Sequence, residues 1–475
     1  MQMKIIQLVN GYSKGDGVGN VITAIDKLLK ANGYETEIYN QTLNLSDLEK
    51  TDFSEENIVL YHVALSVDPL VSYLKCKKIL VFHNITDPEL LIGAGLQQMR
   101  NWCSAGLYDV RGLAQYFNSA IVFSEYSKKT LIESGWDEKN IYCMPIMVRF
   151  DNLSQPFDED IVSKYSDGIT NIIFTGRIFP NKKQEDIIHA FYAYKKKYNN
   201  KARLFIVGNV GNQNYYEALR KLVKDLGIED SVCFTGRAPF SEYLAYYRVA
   251  DLFLCMSAHE GFCIPLVEAL YFNLPIVAVN STAIPDTLGG SGCLIDNRDA
   301  EVVAETIDKM LSDKDLKQSI LTGEEQRLAE LMPDVVEELY INVLKQCIDN
   351  SDKKLAYKEM DSRRILSDKI SIPNEVLSGN NVVYGFGAAG GRLVNHLSEA
   401  SVKVVCICDR NKGGTSERNL KILSPSDSFM KYKECNYIIS IQDKRIIKKV
   451  ICLLLNNGIS ESQIYIYDEI KDEIV

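Results

Sequence analysis

Nothing in these 475 residues approaches the roughly 18 consecutive apolar residues of a membrane span. The opening stretch, Met1-Gln-Met-Lys-Ile-Ile-Gln-Leu-Val9, has the form of a short strand and lacks the layout of a secretion signal. The expected location is cytoplasmic, with room for peripheral work at the inner face of a membrane. Positive charge is not in excess: 53 Lys and Arg stand against 63 Asp and Glu, a formal net charge of -10. Free nucleic acid is excluded as an expected partner, because its phosphates require clustered positive charge. A few local cations still suffice for one diphosphate. The 12 cysteines include no Cys-x-x-Cys and no zinc spacing, and are expected to be reduced and buried. Cys406 and Cys408 are expected on one face of a strand. No Asp-x-Asp stands at a strand end. Asp158-Glu-Asp160 has that spacing but falls in a polar break and reads as a solvated acidic patch. No metal is expected, and no short tandem repeat is visible.

What is present is an alternation. Apolar runs at Ile5–Val9, Glu35–Tyr39, Ile58–His62, Ile79–His83, Ala120–Ser124 and Ile141–Met144 are predicted strands, with a helix at Asn20–Asn32. A polar break at Asp151–Asp160 reads as a linker. The rhythm resumes with strands at Asn171–Gly176, Arg203–Val207, Val232–Thr235, Leu252–Met256 and Ile276–Val279 and helices at Gln184–Tyr198, Tyr215–Leu226, Asp299–Leu311 and Pro333–Asp349. Strands alternating with helices imply parallel sheets covered on both faces. The boundaries this predicts are 1–155, 156–350, a charged connector 351–371, and a third unit 372–475.

One stretch concentrates the chemistry: Ser257-Ala-His-Glu260-Gly-Phe-Cys-Ile-Pro265-Leu-Val-Glu268. It follows a predicted strand, and Pro265 sits where a first helical position is expected. Ligands of open α/β sheets bind beyond the carboxyl ends of strands, and helix N-termini suit phosphates. The Gly261-Phe262-Cys263-Ile264 backbone is thus placed for a diphosphate. Glu268, expected in the first turn, is placed for a ribose diol, and Glu260 for sugar hydroxyls. Two glutamates eight apart are otherwise ordinary helix-start charges. Arg177 and Lys182 follow the strand Asn171–Thr175, with Lys183 as the alternative to Lys182. Two cations there suit a diphosphate and a departing nucleotide; the alternative is a pair of merely solvated loop charges. Ser13-Lys-Gly15-Asp-Gly17-Val-Gly19 opens the first helix as a glycine-rich turn, either a phosphate loop or only a tight turn. His83 ends a strand, as does His62, the weaker candidate. His259 is read as shaping its loop and His189 as structural.

Taken in order, these segments resemble glycosyltransferase family 4, whose donor-binding motif is Glu-x7-Glu. Phe174-Thr-Gly176-Arg177…Lys182-Lys183 resembles its Gly-Arg…Lys segment, and Phe234-Thr-Gly236-Arg237 the strand after it. The likeness covers roughly residues 1–350. It implies an α/β fold of two facing Rossmann-like domains with a cleft between them, the helix 333–349 crossing back to the first. It implies retaining, metal-independent transfer from a UDP- or GDP-sugar to a glycan or lipid-linked acceptor, as in cell-surface polysaccharide assembly. No cofactor is required for that transfer. By the same likeness, Glu260, His83, Arg177 and Lys182 are the candidate catalytic residues. Glu268, Gly17, Gly19, Gly261, Phe262, Cys263, Ile264, Arg237 and Ala238 are the candidate donor-binding ones, with the base near Arg237 and Ala238.

The third unit departs from that two-domain plan. Gly385-Phe-Gly387-Ala-Ala-Gly390 follows a predicted strand and opens a helix, and Asp409 ends the next strand, 24 residues after Gly385. That is the layout of a dinucleotide-binding half, so a small Rossmann-like α/β domain with a dinucleotide is one reading. A structural or partner-binding module is the other. Tyr467 and Lys471 match Tyr-x3-Lys but lie at the end of the chain, where coincidence is the better account. Two rivals to the transferase remain at this level. One is an NAD(P)-dependent sugar-nucleotide oxidoreductase or epimerase, for which the catalytic half is missing. The other is a non-catalytic assembly protein with a transferase fold. Sugar, base, linkage and oligomeric state are not encoded legibly.

Overall fold

The alternating runs form three sheets in a computed structural model that describes residues 3–11, 17–93, 95–349, 357, 372–385, 388–409, 416–417, 420–441, 444–468 and 473–474. They fall into two compact units: Met1–Asp68 with Leu74–Ala356, and Tyr357–Val475 with Pro69–Tyr73.

The first unit holds two parallel sheets. The strands of the first are β1 (Lys4–Val9), β2 (Glu35–Asn40), β3 (Ile58–Val63), β4 (Lys77–Phe82), β5 (Ser119–Val122) and β6 (Ile141–Cys143), in the order β2-β1-β3-β4-β5-β6. Every residue of β3 is buried. A strand covered on both faces in this way reads as one continuous apolar run, which is why it was legible. The second sheet contains β7 (Thr170–Thr175), β8 (Ala202–Val207), β9 (Val232–Gly236), β10 (Leu252–Cys255), β11 (Ile276–Val279) and β12 (Cys293–Ile295). Its order, β12-β11-β10-β7-β8-β9, reverses between β7 and β10. That switch point opens a crevice at the carboxyl ends of those two strands.

The helix Pro333–Asp349 leaves the second sheet's layer and packs on the helix Gly17–Ala31 of the first. Lys77 Nζ donates to the Ile348 carbonyl near its end. The crossing back expected from the resemblance is therefore present. The supposed linker is not irregular throughout: Phe150–Leu153 and Glu159–Tyr165 are helical. Asp158 caps the second of these, its carboxylate accepting from Ile161 N at 2.9 Å. The Asp158–Asp160 stretch is thus a helix start, where negative charge complements the dipole, with Glu159 and Asp160 exposed to solvent as expected. A helix at Lys314–Glu330 was not anticipated. Its only buried residue among those described is Glu324, so it carries no apolar stripe to read.

The second unit is a third sheet of β13 (Asn381–Tyr384), β14 (Val404–Cys408), β15 (Ser416–Glu417), β16 (Leu420–Leu423), β17 (Asn436–Ile439), β18 (Ile464–Asp468) and β19 (Glu473–Ile474). The parallel core runs β16-β14-β13-β17-β18, with β15 and β19 as antiparallel edges. Cys406 and Cys408 share one apolar cluster with Val382, Tyr384 and Tyr437, as their spacing predicts. No described helix is long and apolar enough to cross a membrane.

Candidate functional site

The donor segment leaves β10 and turns into the helix Ile264–Tyr271. Two residues of the next loop hold that turn. Ser281 Oγ donates to the Ser257 carbonyl at 2.6 Å, and Glu260 N donates to Thr282 Oγ1 at 2.9 Å. Cys263 caps the helix with φ +79°, and Pro265 is its second residue, not its first. Phe262 and Cys263 are buried in the apolar core and Ile264 packs against it. The side chains of these three residues are therefore taken up by the core.

Lys182 and Glu260 meet directly, Nζ to Oε1 at 2.6 Å, with side chains 20% and 9% exposed. Burial opposes the Lys182 charge, but the Glu260 carboxylate outweighs it and the pKa is raised. Lys182 stays cationic. Of the two adjacent lysines it is Lys182 that meets Glu260, while Lys183 adopts φ +52° and pairs with Glu185 at 3.3 Å. Arg177 is exposed at the mouth of the loop after β7, its guanidinium 4.5 Å from the centre of the Phe179 ring. Its carbonyl accepts from Gln184 Nε2 at 3.1 Å.

Glu268 lies beyond the first turn of its helix, which contains no acidic residue. It is therefore not a dipole-stabilising helix-start charge. Its Oε2 accepts from Tyr243 Oη at 2.5 Å and Tyr247 Oη at 2.9 Å, while Oε1 has no partner among the described residues. Tyr247 Oη also meets Thr175 Oγ1 at 2.6 Å, which ties the group to the end of β7. Burial raises the Glu268 pKa against the opposing effect of the two tyrosines. The tyrosines were missed as functional residues. Their signal was present, since Tyr243 and Tyr247 are four apart on the helix Phe240–Val249 and so share a face.

Across the crevice, His83 follows β4 and His62 lies near the end of β3. The rings are joined, His62 Nδ1 to His83 Nε2 at 2.9 Å, and His62 Nε2 meets Gln7 Oε1 at 3.1 Å. Burial pushes His83 down to about 3. His62 is lowered too, first by burial and then by His83. Gly261 packs against this strand end: a Cβ there would lie 2.5 Å from the His83 carbonyl oxygen and 3.0 Å from Asn84 Cβ. Asn84 holds φ +71° beside it. His259 is buried, its ring edge-on to Tyr126 with centroids 5.7 Å apart. Asn181 Nδ2 donates to the His259 carbonyl at 2.9 Å. This supports the loop-shaping role read for His259. His189 is exposed on its helix.

Lys182, Glu260, Gly261 and His83 are thus brought together, with Glu268 one loop away on the adjoining helix. Gly17 and Gly19 begin the helix after β1, while Ser13–Asp16, the rest of that glycine-rich turn, lie outside the described residues. Arg237 and Ala238 follow β9, two strands over from β7. In the second unit, a Cβ on Gly390 would collide with the Gly385 carbonyl, so this glycine lets helix and strand pack closely. Asp409 follows β14, its N–H donating to the Leu423 carbonyl at 3.0 Å. Gly387 and Lys471 lie outside the described residues.

Comparison with known proteins bears on the same segment. Residues 159–326 match the family described as glycosyl transferases group 1. A GDP-mannose-dependent alpha-(1-6)-phosphatidylinositol monomannoside mannosyltransferase of Mycobacterium tuberculosis is 30% identical over 153 residues, 30% of this chain and 39% of that protein. A D-inositol 3-phosphate glycosyltransferase of Frankia alni is 31% identical over 167 residues, 33% of this chain and 40% of that protein. The matched stretch therefore spans well under half of these relatives. In fold, the Anabaena protein Alr3699/HepE, solved with UDP and glucose, superposes with a TM-score of 0.56 over 73% of this chain and 100% of its own, at 18% identity. Residues 159–326 thus match the glycosyl transferases of group 1, in a chain whose two-Rossmann-domain fold is that of solved glycosyltransferases and resembles glycosyltransferase family 4.

Proposed function

We propose that this chain is a retaining glycosyltransferase, moving a sugar from a UDP- or GDP-sugar to a glycan or lipid-linked acceptor. The observation that carries the reading is the grouping at the β7–β10 switch point. There a buried cation, Lys182, is set on Glu260, and a second carboxylate, Glu268, is anchored at one oxygen by two tyrosines with Oε1 unpartnered. Such a group matches a diphosphate next to a ribose diol. In this reading Arg177, Lys182 and the backbone of Gly261–Ile264 take the diphosphate, with Gly17 and Gly19 approaching from the other domain. Glu268 Oε1 takes the ribose, and the base lies by Arg237 and Ala238. Glu260 and His83 orient the sugar. Fixed positive charge around the leaving diphosphate lowers the barrier, because charge grows there as the glycosidic bond breaks. Residues 1–155 form the acceptor side and 156–350 the donor side.

The GDP-mannose-dependent phosphatidylinositol monomannoside mannosyltransferase among the relatives supports a nucleotide-sugar donor and is compatible with a glycolipid acceptor. Work at the inner membrane face, in polysaccharide synthesis, follows from that acceptor class. The unit 372–475, with Gly385 and Gly390 at its first strand–helix turn and Asp409 after β14, is proposed as an accessory dinucleotide module. Thermal shift against UDP-, GDP- and ADP-sugars and NAD, followed by donor hydrolysis, tests both parts. Stabilisation by one nucleotide sugar, lost with Glu268→Ala, is expected. No binding and no turnover of any nucleotide sugar would refute the transferase reading.

A further inference from the structure

We infer that Gln7 and His62 are positioning residues which lock His83 in one neutral tautomer, hydrogen on Nε2 and lone pair on Nδ1, so that His83 accepts a hydrogen bond from a substrate hydroxyl. The inference rests on the transferase reading for the identity of that substrate, and on hydrogen-bond bookkeeping for the tautomer. Gln7 is fully buried, and its Nε2 donates to the Ile22 carbonyl at 3.1 Å. An amide turned the other way would set two oxygens against each other there. Gln7 Oε1 therefore faces His62 Nε2 at 3.1 Å, and being an acceptor only, it requires hydrogen on that nitrogen. A neutral imidazole carries one hydrogen, so His62 Nδ1 is a lone pair. His83 Nε2, 2.9 Å away, must then be the donor. His83 in turn keeps a bare Nδ1, and that nitrogen has no partner among the described residues.

Burial keeps His62 from taking a second proton. The ring is 4% exposed, and an unpaired charge at such depth is costly. The relay also has a consequence for substrate choice. Nδ1 as a bare acceptor favours a sugar hydroxyl, which can donate, over a carboxylate, a carbonyl or a fluorine at the same place, which cannot. A buried site built to bond a hydroxyl rejects analogues lacking it, because its own polar atom is left unpaired.

The chain has five histidines, few enough for 15N-histidine labelling and long-range 1H–15N spectra of the full-length protein, assigned by single substitutions. The expected result at neutral pH is Nε2–H with bare Nδ1 for both His62 and His83. His62→Phe removes the acceptor and should leave His83 a mixture of tautomers, with kcat for transfer down on the order of tenfold and donor KM little changed. His62→Asn, whose Oδ1 stands near the lost Nδ1, should restore the tautomer and most of kcat. Gln7→Met should mix both rings and serves if His62→Phe does not fold. Finding His83 as Nδ1–H, or a tautomer that ignores both variants, overturns the inference. The expected tautomers in a protein that turns over no nucleotide sugar would instead sink the transferase reading alone.

Discussion

The Lys182–Glu260 pair lends itself to a cycle that separates scaffold from chemistry. Lys182→Met leaves the Glu260 carboxylate, 9% exposed, without the ammonium that faces it at 2.6 Å. Breaking a buried pair by removing one partner costs about 3–5 kcal/mol. The lysine side chain is 20% exposed, so solvent relieves part of that, and about 2–3 kcal/mol is expected. For a domain of this size each kcal/mol moves Tm by about 2–4 °C, giving a drop of about 5–10 °C. Glu260→Gln should cost less, because a lysine can turn its head to water. The double variant Lys182→Met/Glu260→Gln buries no charge at the pair and should regain most of the loss, for a coupling on the order of 2 kcal/mol. Transfer should not follow. Each of the three variants is expected to lose on the order of 100-fold or more in kcat/KM, since the donor has lost a charge or an orienting group. Urea unfolding together with donor hydrolysis reads both quantities from the same preparations. Two results would refute the reasoning: single-variant losses that simply add in the double, or a double variant that recovers transfer along with stability.

Three further outcomes are expected. In Gly261→Ala the new Cβ, 2.5 Å from the His83 carbonyl oxygen, should force the donor loop away from β4 and lower transfer on the order of tenfold or more. Wild-type rates in that variant would show that the close approach is dispensable. In Glu268→Gln, Oε2 loses its charge while Tyr243 and Tyr247 keep an acceptor in reach, so folding should be nearly unchanged and donor Kd about tenfold weaker; calorimetry showing equal Kd would remove Glu268 from the ribose. Glu324 is buried, accepts from Ile276 N at 2.9 Å through Oε1, and has its carboxyl pushed by burial from 4.5 to about 8. Its folded pKa is raised, so the stability it supplies is complete below about 4.5 and is lost progressively as pH rises to and through about 8, on the order of 5 kcal/mol at most. Glu324→Gln should therefore flatten the fall in Tm between about pH 5 and 8, and parallel wild-type and variant curves would disprove it.

The strands that build the crevice were legible because nearly all their residues are buried on both faces: β3 and β10 throughout, β4 and β7 at all but the first residue, so each carries an apolar run such as Ile79–Phe82 or Ile172–Phe174. Glu260, Glu268 and Lys182 were legible only as positions in an ordered series of segments. Which oxygen each carboxylate uses, and which of two adjacent lysines faces the crevice, depends on φ +52° at Lys183 and φ +79° at Cys263, conformations no pattern of residue types announces. The helix Lys314–Glu330 was hidden because it buries a glutamate where a periodicity argument looks for an apolar stripe. Gln7 was hidden for the same reason in reverse. It sits inside the apolar run of β1, and nothing local says that His62, 55 residues on, will need its oxygen.

Under the proposed transfer, these placements decide where the acceptor's proton goes. In this reading Glu260 has Oε1 engaged by Lys182 and its other oxygen assigned to the donor's sugar hydroxyls, and Glu268 has Oε2 engaged by two tyrosines with the other oxygen assigned to the ribose. His83 retains a lone pair, but burial holds its pKa at about 3. A general base works best with a pKa near the working pH, so His83 is far too weak to deprotonate a sugar hydroxyl; it can only accept a hydrogen bond and orient. Of the side chains gathered here, none is suited to act as the base. The remaining acceptor is an oxygen of the departing diphosphate, which gains negative charge as the bond to the sugar breaks. Lys182 and the helix N-terminus hold that oxygen on the face from which the sugar leaves. An acceptor hydroxyl that gives up its proton there must attack from that same face. Retention of configuration then follows from where the crevice keeps its charge, and not from a dedicated acid–base pair.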